Sequence, residues 1–145
     1  MLNFENLGER FVQTVHTEEW KQLQNKFNDC ADIYVLGHGG NLAVADHAAV
    51  DITRLSNGTK NAMCPGSAVV ATSLINDTSF EQWMVNWVRQ RTSTRNKSQM
   101  KKSLVLGISS SGNSIDIIKA LQWANDHGMQ IAMITSKDIP VEVTN

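Results

Sequence analysis

The stretch from Ser103 to Asp126, SLVLGISSSGNSIDIIKALQWAND, constrains this chain more than any other. Its opening run, Leu104-Val105-Leu106-Gly107-Ile108, has the length and composition of a strand buried on both faces. Ser109, Ser110, Ser111, Gly112, Asn113 and Ser114 follow, and behind them Ile117, Ile118, Leu121 and Ala124 recur at helical spacing. That order sets hydroxyls beside first-turn N–H groups, which have no partner inside the helix and sit at the positive end of its dipole. Such a corner binds anions, phosphate among them. The competing reading is that one serine simply caps the helix. A cap needs one hydroxyl, and this loop carries four serines.

The same pattern occurs earlier. Asp32-Ile33-Tyr34-Val35-Leu36-Gly37 reads as a buried strand, Gly37-His38-Gly39-Gly40-Asn41 as a small-residue loop, and Leu42 to Arg54 as a helix. A dinucleotide-binding loop has to be weighed here. Against it, Leu42 stands where a third glycine would be, and no Asp or Glu closes the next strand to hold a ribose. That next piece, Asn61-Ala62-Met63-Cys64-Pro65, is a short strand of poor propensity. On the helix, His47 and Asp51 are four apart and share a face with Asp46 and Arg54 close by. Near a glycine loop such a face can carry acid–base chemistry. A solvated helix face explains the same charges with no chemistry at all.

The remaining segments surround these two units. Residues 2–30 read as a helical arm, with Leu2, Phe4, Leu7, Phe11, Val12 and Val15 on one stripe and Trp20, Leu23 and Phe27 on a second. Between them Thr17 is an N-cap followed by the acids Glu18 and Glu19. Ser67 to Leu74 reads as a short apolar helix, Asn76-Asp77-Thr78 as a loop and N-cap, and Phe80, Trp83, Met84, Trp87 and Val88 as a helical stripe. Two tryptophans a turn apart point to core or to a subunit interface. Gln90 to Ser103 is polar and basic without periodicity and reads as a solvated loop; lacking aromatic interleaving, it is not a nucleic-acid surface. Gly128 ends the helix after Ser114, Met129 to Thr135 is a fourth strand, and Ile139 to Asn145 at most a frayed fifth.

Strands alternating with helices imply right-handed parallel crossovers. The expected fold is therefore α/β: a three-layer α/β/α sandwich around a parallel sheet of four to five strands, flavodoxin-like, as one domain over residues 1–145. The arm occupies 1–30 and the core 31–145. Ligands of such sheets sit beyond the carboxyl ends of the strands, where both loops lie.

The 145 residues suffice for one core, and a formal net charge of -1 gives no support to a nucleic-acid or membrane partner. Cys30 and Cys64 stand apart and read as reduced thiols, not as a disulfide or zinc framework. With no apolar leader at MLNFENLGER and no run of about 18–20 apolar residues, a cytoplasmic location is expected.

The loops GHGGN and SSSGNS, with an Asn-Asp pair between them, resemble the sugar isomerase (SIS) family, and within it the phosphoheptose isomerase branch. The resemblance covers about residues 30 to 138, and GISSSGNSIDIIKALQWANDHGMQIAMITSKD is its most specific part. It implies an aldose–ketose isomerisation of sedoheptulose 7-phosphate through an enediol. Ser109, Ser110, Ser111 and Ser114 would hold the sugar phosphate, while His38, Gly39, Gly40, Asn41, Asn76 and Asp77 would line the substrate. His47 and Asp51 would be the catalytic pair, and in some members such a position contributes to a zinc ion.

Three departures matter. His38 stands where the family usually has Asn, Asn41 where it has Ser, and Asp51 where it has Glu, which draws the carboxylate back by roughly an ångström. The resemblance further implies a final helix with a Gln and a His that these 145 residues do not reach, so weakened or lost activity is expected, with His38 left to manage the substrate oxygens. The alternative is a non-catalytic SIS module for regulation or assembly, such as those associated with replication initiation. Self-association as a dimer or tetramer is expected from the stripe of Phe4, Leu7 and Phe11 and from the Trp83/Trp87 face.

Overall fold

A computed structural model of the chain describes residues 5–137. Among them are four strands, β1 (Asp32–Gly37), β2 (Asn61–Met63), β3 (Ser103–Ile108) and β4 (Gln130–Ile134). Seven helices surround them: α1 (Leu7–Val15), α2 (Glu18–Asp29), α3 (Gly40–Leu55), α4 (Ala68–Asp77), α5 (Trp83–Thr92), α6 (Lys97–Lys101) and α7 (Ile115–Asp126). Every pairing is parallel and the order is β2-β1-β3-β4. The expected parallel α/β sandwich is what the chain forms, with four strands among the described residues. The frayed strand expected at 139–145 lies outside them.

Alternation along the two central strands builds a core on each face. Ile33 and Val35 of β1 join Leu104 and Leu106 of β3 in a cluster that Leu23, Phe27, Ala45 and Ile52 of α2 and α3 cover. Tyr34, Leu36 and Val105 point the other way, onto Trp83, Trp87 and Val88 of α5 and Ile117 and Leu121 of α7. Trp83 and Trp87 are almost wholly buried there, so they are core and not an interface face. Tyr34 meets Trp87 edge-on at 6.0 Å, a preferred aromatic geometry. On the other side, Lys60 donates to the carbonyls of Phe27, Asn28 and Cys30 at 2.7, 3.0 and 2.7 Å. It thereby satisfies the carbonyl end of α2 and ties it to the start of β2. Both cysteines are free thiols. Burial, with Asp46 nearby, pushes the Cys64 thiol up to about 12, which keeps it protonated at neutral pH.

Two expected boundaries were wrong for local reasons. Gln90–Ser103 is not a solvated loop: α5 runs to Thr92, and α6 follows behind an Asn96–Gln99 capping box. Met100 and Thr92 are buried, and Ser103 opens β3. A five-residue helix is too short to show a period, and the capping box was its legible signal. Asn76 and Asp77 do not begin a helix; they end α4, whose last turn Thr78 closes by donating to the Leu74 carbonyl at 2.6 Å. The α2 N-cap stands as read, with the Trp20 amide donating to Thr17 Oγ1 at 3.2 Å.

The position that most tightly couples sheet to loop is Gly37. A Cβ there would lie 2.7 Å from the Asn41 carbonyl oxygen and 2.8 Å from its carbon, both backbone atoms of the first turn of α3. Only a residue without a side chain lets the helix start this close to the strand end. Gly37→Ala is expected to destabilise the fold by about 1–3 kcal/mol. Thermal unfolding followed by circular dichroism would show a lower midpoint, and an unchanged midpoint would contradict the close packing.

Candidate functional site

β1 and β3 run in register from Asp32 opposite Ser103 to Gly37 opposite Ile108, so the loops that follow them leave the sheet side by side. Asn41 Nδ2 donates to Ser110 Oγ at 3.1 Å, joining the glycine loop to the serine loop. Gly39, at φ 54 and ψ -123, supplies the turn into α3 that a side chain would strain. The two loops expected to share one crevice are thus in contact.

Within the serine loop the four hydroxyls have different settings. Ser109 is buried, and its hydroxyl pairs with that of Ser114 at 2.9 Å. Ser110 and Ser111 are exposed; Ser111 Oγ accepts from the Asn113 amide at 3.2 Å. Ser136 Oγ donates to the Ser110 carbonyl at 2.6 Å and braces the loop from the end of β4. Ser114 occupies the N-cap of α7 but makes no side-chain capping bond. A single capping serine therefore does not explain this loop, and the first-turn amides of α7 remain directed at it.

His38 stands at the end of β1 and reaches the first turn of α7. Its Nε2 lies 3.0 and 2.8 Å from the two carboxylate oxygens of Asp116, which is fully buried. Trp83 Nε1 donates to the same carboxylate at 2.8 Å. The His38 ring is stacked on Phe80, with centroids 5.7 Å apart and planes inclined by 21°. Lys119 pairs with Glu81 and holds the segment bearing Phe80 against α7. Reading the sequence missed Asp116. The available signal was an acid one turn before Ala120 and two before Ala124, on the buried face of an amphipathic helix.

Other candidates sit farther along. His47 Nε2 and Asp51 Oδ2 are 3.3 Å apart, as their spacing implied, with His47 largely exposed. Arg54 donates to Asp51 at 2.9 Å. That bond holds the Asp51 carboxyl below its ordinary range, helped by His47 and opposed by partial desolvation. Both residues line a groove of about 830 Å³ along α3 with Phe27, Val44, Ile52 and Leu55, and no serine-loop residue is among its walls. Asp51 lies eleven residues past Gly40 in α3, roughly 16 Å along the axis from the glycine loop. Asn76 and Asp77 are exposed, with Asn76 Nδ2 donating to Asp77 Oδ1 at 3.3 Å. The chain segment just after them delivers Phe80 to His38.

The zinc implied by the resemblance finds a poor fit. His47 and Asp51 offer two donors, one carboxylate oxygen is engaged by Arg54, and no group of three or more His, Cys, Asp or Glu among the described residues can hold a metal. A closed zinc site takes four ligands.

No protein-family model matches the chain. A phosphoheptose isomerase of Helicobacter pylori (strain P12) is 29% identical over 140 residues, covering 94% of this chain and 67% of its own length. One from Sodalis glossinidius is 28% identical over 137 residues, covering 90% and 64%. One from Aliarcobacter butzleri is 32% identical over 111 residues, covering 73% and 54%. The chain thus spans 54–67% of the length of these relatives. Among solved structures, a phosphoheptose isomerase from Neisseria gonorrhoeae superposes with a TM-score of 0.74 at 23% identity, covering 94% of this chain and 71% of that one. One from Francisella tularensis gives 0.72 at 18%, covering 99% and 81%.

The fold is a parallel α/β sandwich shared with these two solved structures, its loops gathered at the carboxyl edge of the sheet. In sequence the chain is similar to phosphoheptose isomerases over 90–94% of its length.

Proposed function

We propose that the chain binds a phosphorylated sugar at the crevice between the glycine and serine loops and acts on it as a weak aldose–ketose isomerase. The observation that carries this is the serine loop at the N-terminus of α7: exposed Ser110 and Ser111, and an N-cap serine that does not cap. Exposed hydroxyls and first-turn amides suit a dianionic phosphate. The relatives named phosphoheptose isomerase make a seven-carbon ketose phosphate the substrate to try first.

In this reading Asp51 moves a proton between the two carbons of the enediol, and His47 orients it. Asp51 is roughly 16 Å along α3 from its own glycine loop, so we assign it to the crevice of a second copy. Exposed apolar side chains support that assembly: Val44, Val50 and Leu55 of α3 are 57%, 60% and 68% exposed, and Leu7 and Phe11 of α1 are 55% and 65% exposed. Weak turnover follows from the shorter side chain of Asp51 and from its bond to Arg54, which lowers its basicity.

Turnover of sedoheptulose 7-phosphate by the purified chain, with and without added zinc, tests the reading. Isomerisation above the no-enzyme rate supports it. Tight binding in calorimetry without turnover would instead favour a regulatory phosphosugar-binding module. Absence of both would sink the phosphosugar assignment. Self-association has its own measurement: light scattering should give a dimer or tetramer, and Phe11→Asp combined with Leu55→Asp should shift it toward monomer. A parent chain that stays monomeric at micromolar concentration would remove the second copy from the scheme.

A further inference from the structure

We propose that His38 is the proton carrier between the two substrate oxygens, with Asp116 as the residue that positions it. This deepens the isomerase reading and rests on it. Three contacts fix the ring. Both oxygens of the fully buried Asp116 carboxylate face Nε2, Phe80 lies parallel to one ring face, and Trp83 packs at a tilt with its centroid 6.2 Å away. The carboxylate accepts from Trp83 Nε1, and with the same acceptor role toward His38 the ring proton facing it is placed on Nε2. Trp83 Nε1 donates to the same carboxylate, which fixes Asp116 independently of His38. Nδ1 is then left on the far edge of the ring, with no hydrogen-bond partner among the described residues. The side chain is 36% exposed at the end of β1, where the two loops open. A buried acid that holds one nitrogen while the other faces a ligand crevice is the arrangement that makes a histidine a proton carrier.

The chemistry balances without a redox partner. Protonated His38 gives its Nδ1 proton to the substrate carbonyl oxygen while the neighbouring C–H proton passes to the carboxylate assigned above. The C–H electron pair becomes the enediol double bond, and the carbonyl π pair becomes the new O–H bond. Neutral His38, still holding its Nε2 proton against Asp116, then takes the proton of the other hydroxyl on Nδ1. That oxygen becomes the new carbonyl, and the carbon-bound proton returns to the adjacent carbon.

Two measurements decide it. In long-range ¹H–¹⁵N spectra of ¹⁵N-histidine-labelled protein, assigned through His38→Asn, neutral His38 should show the Nε2–H tautomer. Asp116→Asn should shift that signature toward a mixture. In kinetics with sedoheptulose 7-phosphate, His38→Asn should lower kcat by about 10²–10⁴-fold with little change in KM. Asp116→Asn should lower kcat by up to about 10⁴-fold, the scale of loss when an orienting acid is neutralised. Should Asp116→Asn fail to fold, Trp83→Phe, which removes one donor to the carboxylate, takes its place in the spectra. A proton on Nδ1 in the parent, or a tautomer indifferent to the neutralised or altered acid, overturns the clamp. A parent that turns over and a His38→Asn variant with the same kcat overturns the proton-carrier role and leaves the isomerase reading intact. A parent without turnover removes the isomerase reading and the transfer together, while the tautomer still reports on the clamp.

Discussion

Turnover of sedoheptulose 7-phosphate is expected to fall by roughly 10²–10⁴-fold when Asp51 becomes Asn, the usual scale for loss of a general base. Asp51→Glu should raise activity, because the added methylene extends the carboxylate by about an ångström. The environment of Asp51 adds a pH signature. Arg54, bonded at 2.9 Å, and then His47 favour its ionised form, so its carboxyl titrates below the ordinary range. A base active when ionised therefore imposes no acid limb at or above the usual Asp value. Arg54→Met should bring that limb up toward the ordinary value and strengthen the base. The assignment of Asp51 to a neighbour's crevice predicts complementation as well. Asp51→Asn mixed with His38→Asn should regain part of the activity that neither has alone, because some mixed interfaces unite an intact Asp51 with an intact His38. Full activity in Asp51→Asn would show that the base has been misassigned. Mixtures no more active than their parts would return the base to its own chain.

The elements the sequence disclosed and those it hid divide along physical lines. β1, β3 and α7 were legible because each carries a strong local signal: an unbroken apolar run for the strands, a 3.6-residue stripe for the helix. β2 was legible only as a poor strand. It is three residues long at the sheet edge, held by pairing to β1 more than by its own propensity. The Trp83/Trp87 stripe left core and interface open, and both tryptophans belong to the core. Periodicity marks an apolar face but not what covers it. Burial of that face depends on α7, which follows some thirty residues later and supplies Ile117 and Leu121.

The candidate site was readable as two loops and less so as a constellation. The loops' small residues announced themselves, and their contact through Asn41 and Ser110 follows from the parallel register of β1 and β3. The His47–Asp51 pair was equally local, a consequence of i,i+4 geometry. His38, Asp116 and the Phe80–Trp83 segment come from three separate stretches. No spacing rule links them, and only the folded sheet sets the end of β1 against the start of α7. The distance between His47–Asp51 and the serine loop was likewise invisible until α3 was seen to begin at Gly40 and run away from the crevice.

The phosphate site gives the other large effect. Ser110 and Ser111 present exposed hydroxyls beside the N-terminus of α7, and a hydrogen bond to a charged group contributes about 1.5–3 kcal/mol. Replacing both with Ala is expected to remove about 3–6 kcal/mol of phosphosugar binding, close to 10²–10⁴-fold in Kd. Ser109 should behave differently. It is buried and its hydroxyl pairs with Ser114 at 2.9 Å, so Ser109→Ala leaves Ser114 without that partner and acts first on loop stability. The contrast separates ligand contact from scaffold. Calorimetry of the double variant should lose affinity with little change in thermal midpoint, whereas Ser109→Ala should lower the midpoint. Inorganic phosphate should compete with the sugar phosphate in the parent, since the loop recognises the anion and not the sugar. A double variant that binds as tightly as the parent would locate the phosphate away from this loop. The unfilled N-cap of α7 would then need another explanation, because its first-turn amides have no partner within the helix.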